Sequence, residues 1–115
     1  MKKGKVWGET LKIYQDSYVS VHLLRINKGG YSSRHRHKHK QNYFVLISGK
    51  LEIITWMEKL TDKTILFPND VTSVQTGCWH KFLALEDSIL LEFYLAEPLS
   101  EDIERDGTGG LIEAS

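Results

Sequence analysis

The chain has 115 residues, enough for one ordinary domain with one hydrophobic core. Hydrophobic residues make up 41% and charged residues 26%, and fifteen Lys and Arg balance fifteen Asp and Glu. These proportions exclude a disordered chain, and no overall field calls for a nucleic-acid or membrane partner. The start, MKKGKVWGETLK, has no apolar run of signal-peptide length, and no stretch approaches the roughly 18 apolar residues of a membrane helix, so the cytoplasm is the expected compartment. The single cysteine, Cys78, has no internal partner for a disulfide.

Along the chain, short runs rich in Val, Ile, Leu, Phe and Tyr recur at intervals of about ten residues, the pattern of an all-β sandwich or barrel. The expected strands are 10–15, 18–26, 42–48, 51–56, 64–67, 71–75, 78–85 and 89–96. Turn-forming stretches separate them, among them Asn27-Lys28-Gly29-Gly30, Ser48-Gly49-Lys50 and Pro68-Asn69-Asp70. The barrel is expected over about 10–96, with 57–63 as a connection between two strand groups. Residues 97–115 are polar and glycine-containing and read as a short helix or ordered C-terminal arm within the same 1–115 domain.

Chemistry concentrates in RHRHKHK, residues 34–40, where His35, His37 and His39 alternate with cations. Were this one strand, the three imidazoles would share a face and the cations the other. Two imidazoles two residues apart chelate one metal ion; a charged edge strand is the competing explanation for such a run. Gly29, five residues, His35, one residue, His37, four residues, Asn42, six residues and Gly49 reproduce the spacing of the first cupin motif, G-x5-HxH-x3,4-E-x6-G. Residue types match except at Asn42. Asn69, Gln75, Gly77, His80 and Ala84 fall on the slots of the second, G-x5-P-x-G-x2-H-x3-N, matching in type at Gly77 and His80. The chain thus resembles the cupins, which implies a double-stranded β-helix, a jelly-roll-like barrel, holding a divalent metal ion (Zn, Mn, Fe or Ni) on His35, His37, His80 and Asn42.

Within that superfamily the chain is similar to the cupin-type mannose-6-phosphate isomerases, often fused to mannose-1-phosphate guanylyltransferases. Trp7-Gly8 looks like that family's opening WG, and residues 25–53 align without a gap to its central segment. There Gly29, Ser33, His37, Lys40, Asn42, Phe44 and Gly49 occupy the slots of glycine, serine, histidine, arginine, glutamate, tryptophan and glycine, and His35 that of a glutamine. Glu92, Glu101, Asp102, Ile103 and Arg105 match the family's ending, although its final tyrosine is missing. The resemblance implies isomerisation of a phosphorylated or nucleotide-linked sugar, with Glu92 or His39 moving the proton and Arg105 or Lys40 holding the anionic end. An iron-dependent cupin dioxygenase and a non-catalytic metal- or sugar-binding module are the alternatives.

Several assignments stay open at this level. Gln41 rivals Asn42 for the fourth ligand position, since it has the strand parity of His37 and sits at the x3 spacing, but Asn42 keeps the x6 spacing to Gly49 and is preferred. Cys78 shares strand parity with His80 and is either a buried small hydrophobe or a thiolate ligand. Trp56, Trp79, Phe44, Phe82 and Tyr94 suit a core more than a sugar platform. A homodimer is expected from edge strands and from an apolar N-terminal segment carrying Trp7.

Overall fold

The computed structural model describes residues 2–95, 104–107 and 109–112. All regular structure in them is β, arranged as two antiparallel sheets. The first contains β1 (Lys2–Lys5), β2 (Gly8–Gln15), β3 (Val19–Ile26), β6 (Gln41–Ser48), β9 (Val71–Val74) and β11 (Ser88–Leu95), in the order β1-β2-β3-β11-β6-β9. The second is centred on β10 (Trp79–Ala84), which pairs with β7 (Leu51–Met57) on one side. On its other side lie β4 (Gly30–Tyr31) and β5 (Arg34–Arg36). Outermost are β8 (Leu60–Leu66) against β7, and β12 (Glu104–Asp106) and β13 (Gly110–Leu111) against β5 and β4.

Period-two alternation explains which residues face inward. In β6, Asn42, Phe44 and Leu46 are buried while Gln41, Tyr43 and Val45 are less so, and β10 buries His80, Phe82 and Ala84 in the same way. Leu24, Ile26, Leu51, Ile53, Leu66, Val74 and Leu90 complete the core between the sheets. Burying a Leu, Ile or Phe contributes roughly 1.5–3 kcal/mol each, and this closure sets the position of the polar inward side chains among them.

Two glycines of the first motif are required by the turns. Gly29 has φ +83°, and a Cβ there would collide with the Ile112 carbonyl oxygen. Gly49, at φ +95°, would collide in the same way with the Asp87 carbonyl oxygen.

Four expectations are corrected. The connection at 57–63 is mostly strand, because β7 and β8 form a tight hairpin with Glu58 in the left-handed region at φ 54°. An unanticipated β1 extends the first sheet beyond β2. The barrel does not end near 96: the described part of the tail is extended chain that adds β12 and β13 to the second sheet, with no helix in it. Glu101, Asp102 and Ile103 lie outside the described residues. Trp7, expected at a subunit contact, is buried in the chain's own core, edge-on to Phe82 at 5.1 Å. Among the described residues no helix is long and apolar enough to cross a membrane.

Candidate metal centre

His35 and His80 face each other as a registered pair on β5 and β10, with ring centroids 4.3 Å apart. His37 follows β5 directly, and its ring lies 5.3 Å from that of His35 and 5.6 Å from that of His80. All three are buried, and one potential ligand atom from each lies within 4.8 Å of the others.

Hydrogen bonds set the tautomers of two of them. His35 Nδ1 is 2.8 Å from the Ser33 carbonyl oxygen, and His80 Nδ1 is 2.9 Å from the Cys78 carbonyl oxygen. A carbonyl only accepts, so each Nδ1 carries the hydrogen and each Nε2 keeps its lone pair. Burial, then the neighbouring charge of His80, lowers the His35 pKa to about 3; burial and the charge of His37 lower that of His80 to about 4. Both rings are therefore neutral ligands at ordinary pH. At the same end of the barrel, Asn42 Oδ1 is buried without a hydrogen-bond partner among the described residues. Leaving a buried polar atom unsatisfied costs about 1–3 kcal/mol, a penalty that coordination removes. This donor set suits a divalent metal ion, which is the cofactor of the protein.

Asn42 sits inside the site. Its side-chain nitrogen lies 3.5 Å from His80 Nε2 and donates a hydrogen bond to Glu92 Oε2 at 3.2 Å. Gln41 belongs to the opposite face of β6. The shared parity expected for Gln41 and His37 fails because β5 ends at Arg36 and residues 37–40 form an irregular link.

Glu92, on β11, is 7% exposed. Burial raises its pKa to about 7, against the opposing influence of a hydrogen bond with Tyr94 and the charge of Arg105. Glu92, Tyr94 and His35 line a cavity of about 750 Å³ together with His22, Lys12 and Arg105. Arg105 reaches this cavity from β12 and donates from Nη1 to Ser33 Oγ at 2.9 Å.

His39 is not brought to the site: it is exposed in the bend at 38–39, so two histidines of the run, not three, share the inward face. Lys40 stands over the Tyr94 ring, 5.6 Å from its centroid. Cys78 stays outside the cluster; its thiol, with pKa raised by burial, donates weakly to the Trp56 and Trp79 carbonyl oxygens, as a small buried hydrophobe does. Phe44 and Phe82 are core, Tyr94 lines the cavity, and half-buried Trp56 and Trp79 stack with Arg34, whose guanidinium lies 5.3 and 5.4 Å from their centroids. His22 was missed from sequence, although the alternation Ser20, His22, Leu24, Ile26 already puts it on an inward face.

Solved structures share this architecture. KdgF from Halomonas sp. superposes with a TM-score of 0.75 at 16% identity, covering 88% of this chain and 90% of that one. Oxalate decarboxylase from Bacillus subtilis superposes at 0.79 with 17% identity, over 91% of this chain. The Lactobacillus farciminis oxalate decarboxylase formate complex gives 0.77 at 16% identity, over 88% of this chain. The chain spans only 29% and 32% of those two decarboxylases. No curated protein matches it in sequence. Residues 22–95, which run from His22 on β3 to the end of β11 and include all three facing histidines, match the model of the cupin domain, and the chain belongs to that family.

Proposed function

We propose that the protein is a metal-dependent enzyme that moves a proton on a small anionic, oxygen-rich substrate, and that the reaction is the aldose–ketose isomerisation of a phosphorylated or nucleotide-linked sugar. The observation that carries this reading is the Glu92 carboxyl, which lines the same cavity as His35 and is tied through Asn42 to the surroundings of His80.

His35, His37 and His80 would hold the ion, with Asn42 as the neutral fourth donor. When bound, a divalent ion supplies polarisation of carbonyl and hydroxyl oxygens, easing removal of a proton from the adjacent carbon. Glu92 takes that proton and returns it to the neighbouring carbon. A carboxyl with a pKa of about 7 is populated in both forms near neutrality, as such a shuttle requires. Asn42 and Tyr94 hold it in place by hydrogen bonding. Arg105, kept at the cavity by Ser33, attracts the anionic end. His39, exposed in its bend, takes no part in this scheme.

Among the structural neighbours, the Bacillus subtilis oxalate decarboxylase has Mn(II) centres and the Lactobacillus farciminis enzyme is a formate complex, which supports a cation-bearing barrel that accepts small anions. The three facing histidines also favour a second reading, an iron-dependent dioxygenase, which oxygen consumption by the Fe(II)-loaded protein would reveal.

The test is to incubate the Mn(II)- or Zn(II)-loaded protein with mannose 6-phosphate and a panel of phosphorylated and nucleotide-linked sugars in D₂O. Proton NMR follows deuterium entry at the carbon next to the carbonyl. Exchange that falls by about 100-fold or more in Glu92→Gln supports the assignment. No exchange with any member of the panel, or equal exchange by the variant, overturns it.

A further inference from the structure

We infer that the β2–β3 wall of the cavity is an anion subsite separate from the metal centre, in which Lys12 and His22 receive a phosphate-class group of the ligand. The inference deepens the reading of this cavity as a substrate site and rests on it. In the sheet, Lys12 is the registered neighbour of His22, and His22 that of Glu92, so the three residues form one row. All three line the cavity. The imidazole is held: Nε2 is 2.6 Å from Ser20 Oγ, and the ring meets the Tyr94 ring edge-on at 5.5 Å. That leaves Nδ1 for a ligand.

Charge in the cavity is one-sided. Lys5, Lys12 and Arg105 line it, and among the described residues Glu92 is the only carboxylate that does. The side-chain charges acting on His22 are those of Lys12 and Lys40, both positive, and they add to burial in disfavouring the imidazolium. Three cations and a fixed half-buried imidazole facing one carboxylate are stabilised by an arriving anion. The donors are the Lys12 ammonium and the His22 ring N–H, approaching from different side chains. They suit the divergent oxygens of a tetrahedral phosphate dianion better than a planar carboxylate, whose complement is a bidentate guanidinium.

The experiment titrates inorganic phosphate into the full chain, metal-free and metal-loaded, by calorimetry and by the His22 ring signals in NMR. Wild type should bind phosphate in both forms, with His22 responding. Lys12→Met, at an exposed position that leaves the core intact, should weaken phosphate about tenfold without changing Zn(II) affinity. His22→Gln should do the same, and Lys63→Met, a charge control on the exposed β8, should stay within about twofold of wild type. Phosphate affinity unchanged in Lys12→Met, or acetate displacing phosphate at equal concentration, overturns the subsite. Failure of the isomerase reading appears elsewhere, as absent deuterium exchange, and leaves the phosphate titration as it is.

Discussion

Asn42 donates a hydrogen bond to Glu92 at 3.2 Å, with the same nitrogen 3.5 Å from His80 Nε2, so one neutral amide joins the buried Glu92 carboxyl to the histidine cluster. The cupin motif has a glutamate at this slot, and a second carboxyl here would stand beside Glu92.

Asn42→Glu therefore has opposed effects. With an anionic oxygen added to an otherwise neutral donor set, Zn(II) or Mn(II) affinity should rise by about tenfold or more, ~1.4 kcal/mol. Without metal, two adjacent buried carboxyls should lower stability by roughly 1–3 kcal/mol. Titration calorimetry, and thermal melts with and without chelator, measure both. Gln41→Glu, on the other face of β6, should leave metal affinity unchanged; tighter binding by that variant would reverse the assignment.

Removing one imidazole should be enough to empty the site. His37→Ala leaves two histidines and an amide, and bound metal after dialysis should drop to background by elemental analysis. Unchanged metal content would place the ion elsewhere.

The metal-free protein should carry a pH signature of Glu92. Its folded pKa, about 7, lies above the ordinary 4.5, so its stabilising contribution is complete below pH 4.5 and is lost as pH rises through 7. The full span is on the order of 3 kcal/mol. His35 and His80, with folded pKa values depressed to about 3 and 4, act in the opposite sense and destabilise as pH falls below 6.5. The difference between wild type and Glu92→Gln in denaturant melts isolates the carboxyl. A difference flat from pH 4.5 to 7.5 would show that Glu92 is not held in its protonated form.

We propose a homodimer through the sheet edges at β1 and β9, each of which pairs with a single strand among the described residues and so offers its other edge to a second copy. Light scattering at tens of micromolar, roughly the range where weak dimers dissociate, measures it. A monomer there would remove the proposal.

Strand content and the inward set were readable from alternation alone, since neighbouring residues on a strand take opposite faces whatever the strand pairs with. For the same reason His35 and His37 were placed on one face, while His80 was named through the spacing of the second cupin motif. The reading broke where extended structure broke. His39 was expected beside His37, but β5 ends at Arg36 and the following bend turns His39 to solvent. Parity counted across that irregular link favoured Gln41 and the x6 spacing to Gly49 favoured Asn42; in β6 it is Asn42 that faces inward, opposite Tyr94 of β11. Register between distant strands is likewise what puts Lys12, His22 and Glu92 in one row and His80 opposite His35. Such register depends on how the whole core closes, because a one-residue slip would turn every inward side chain outward.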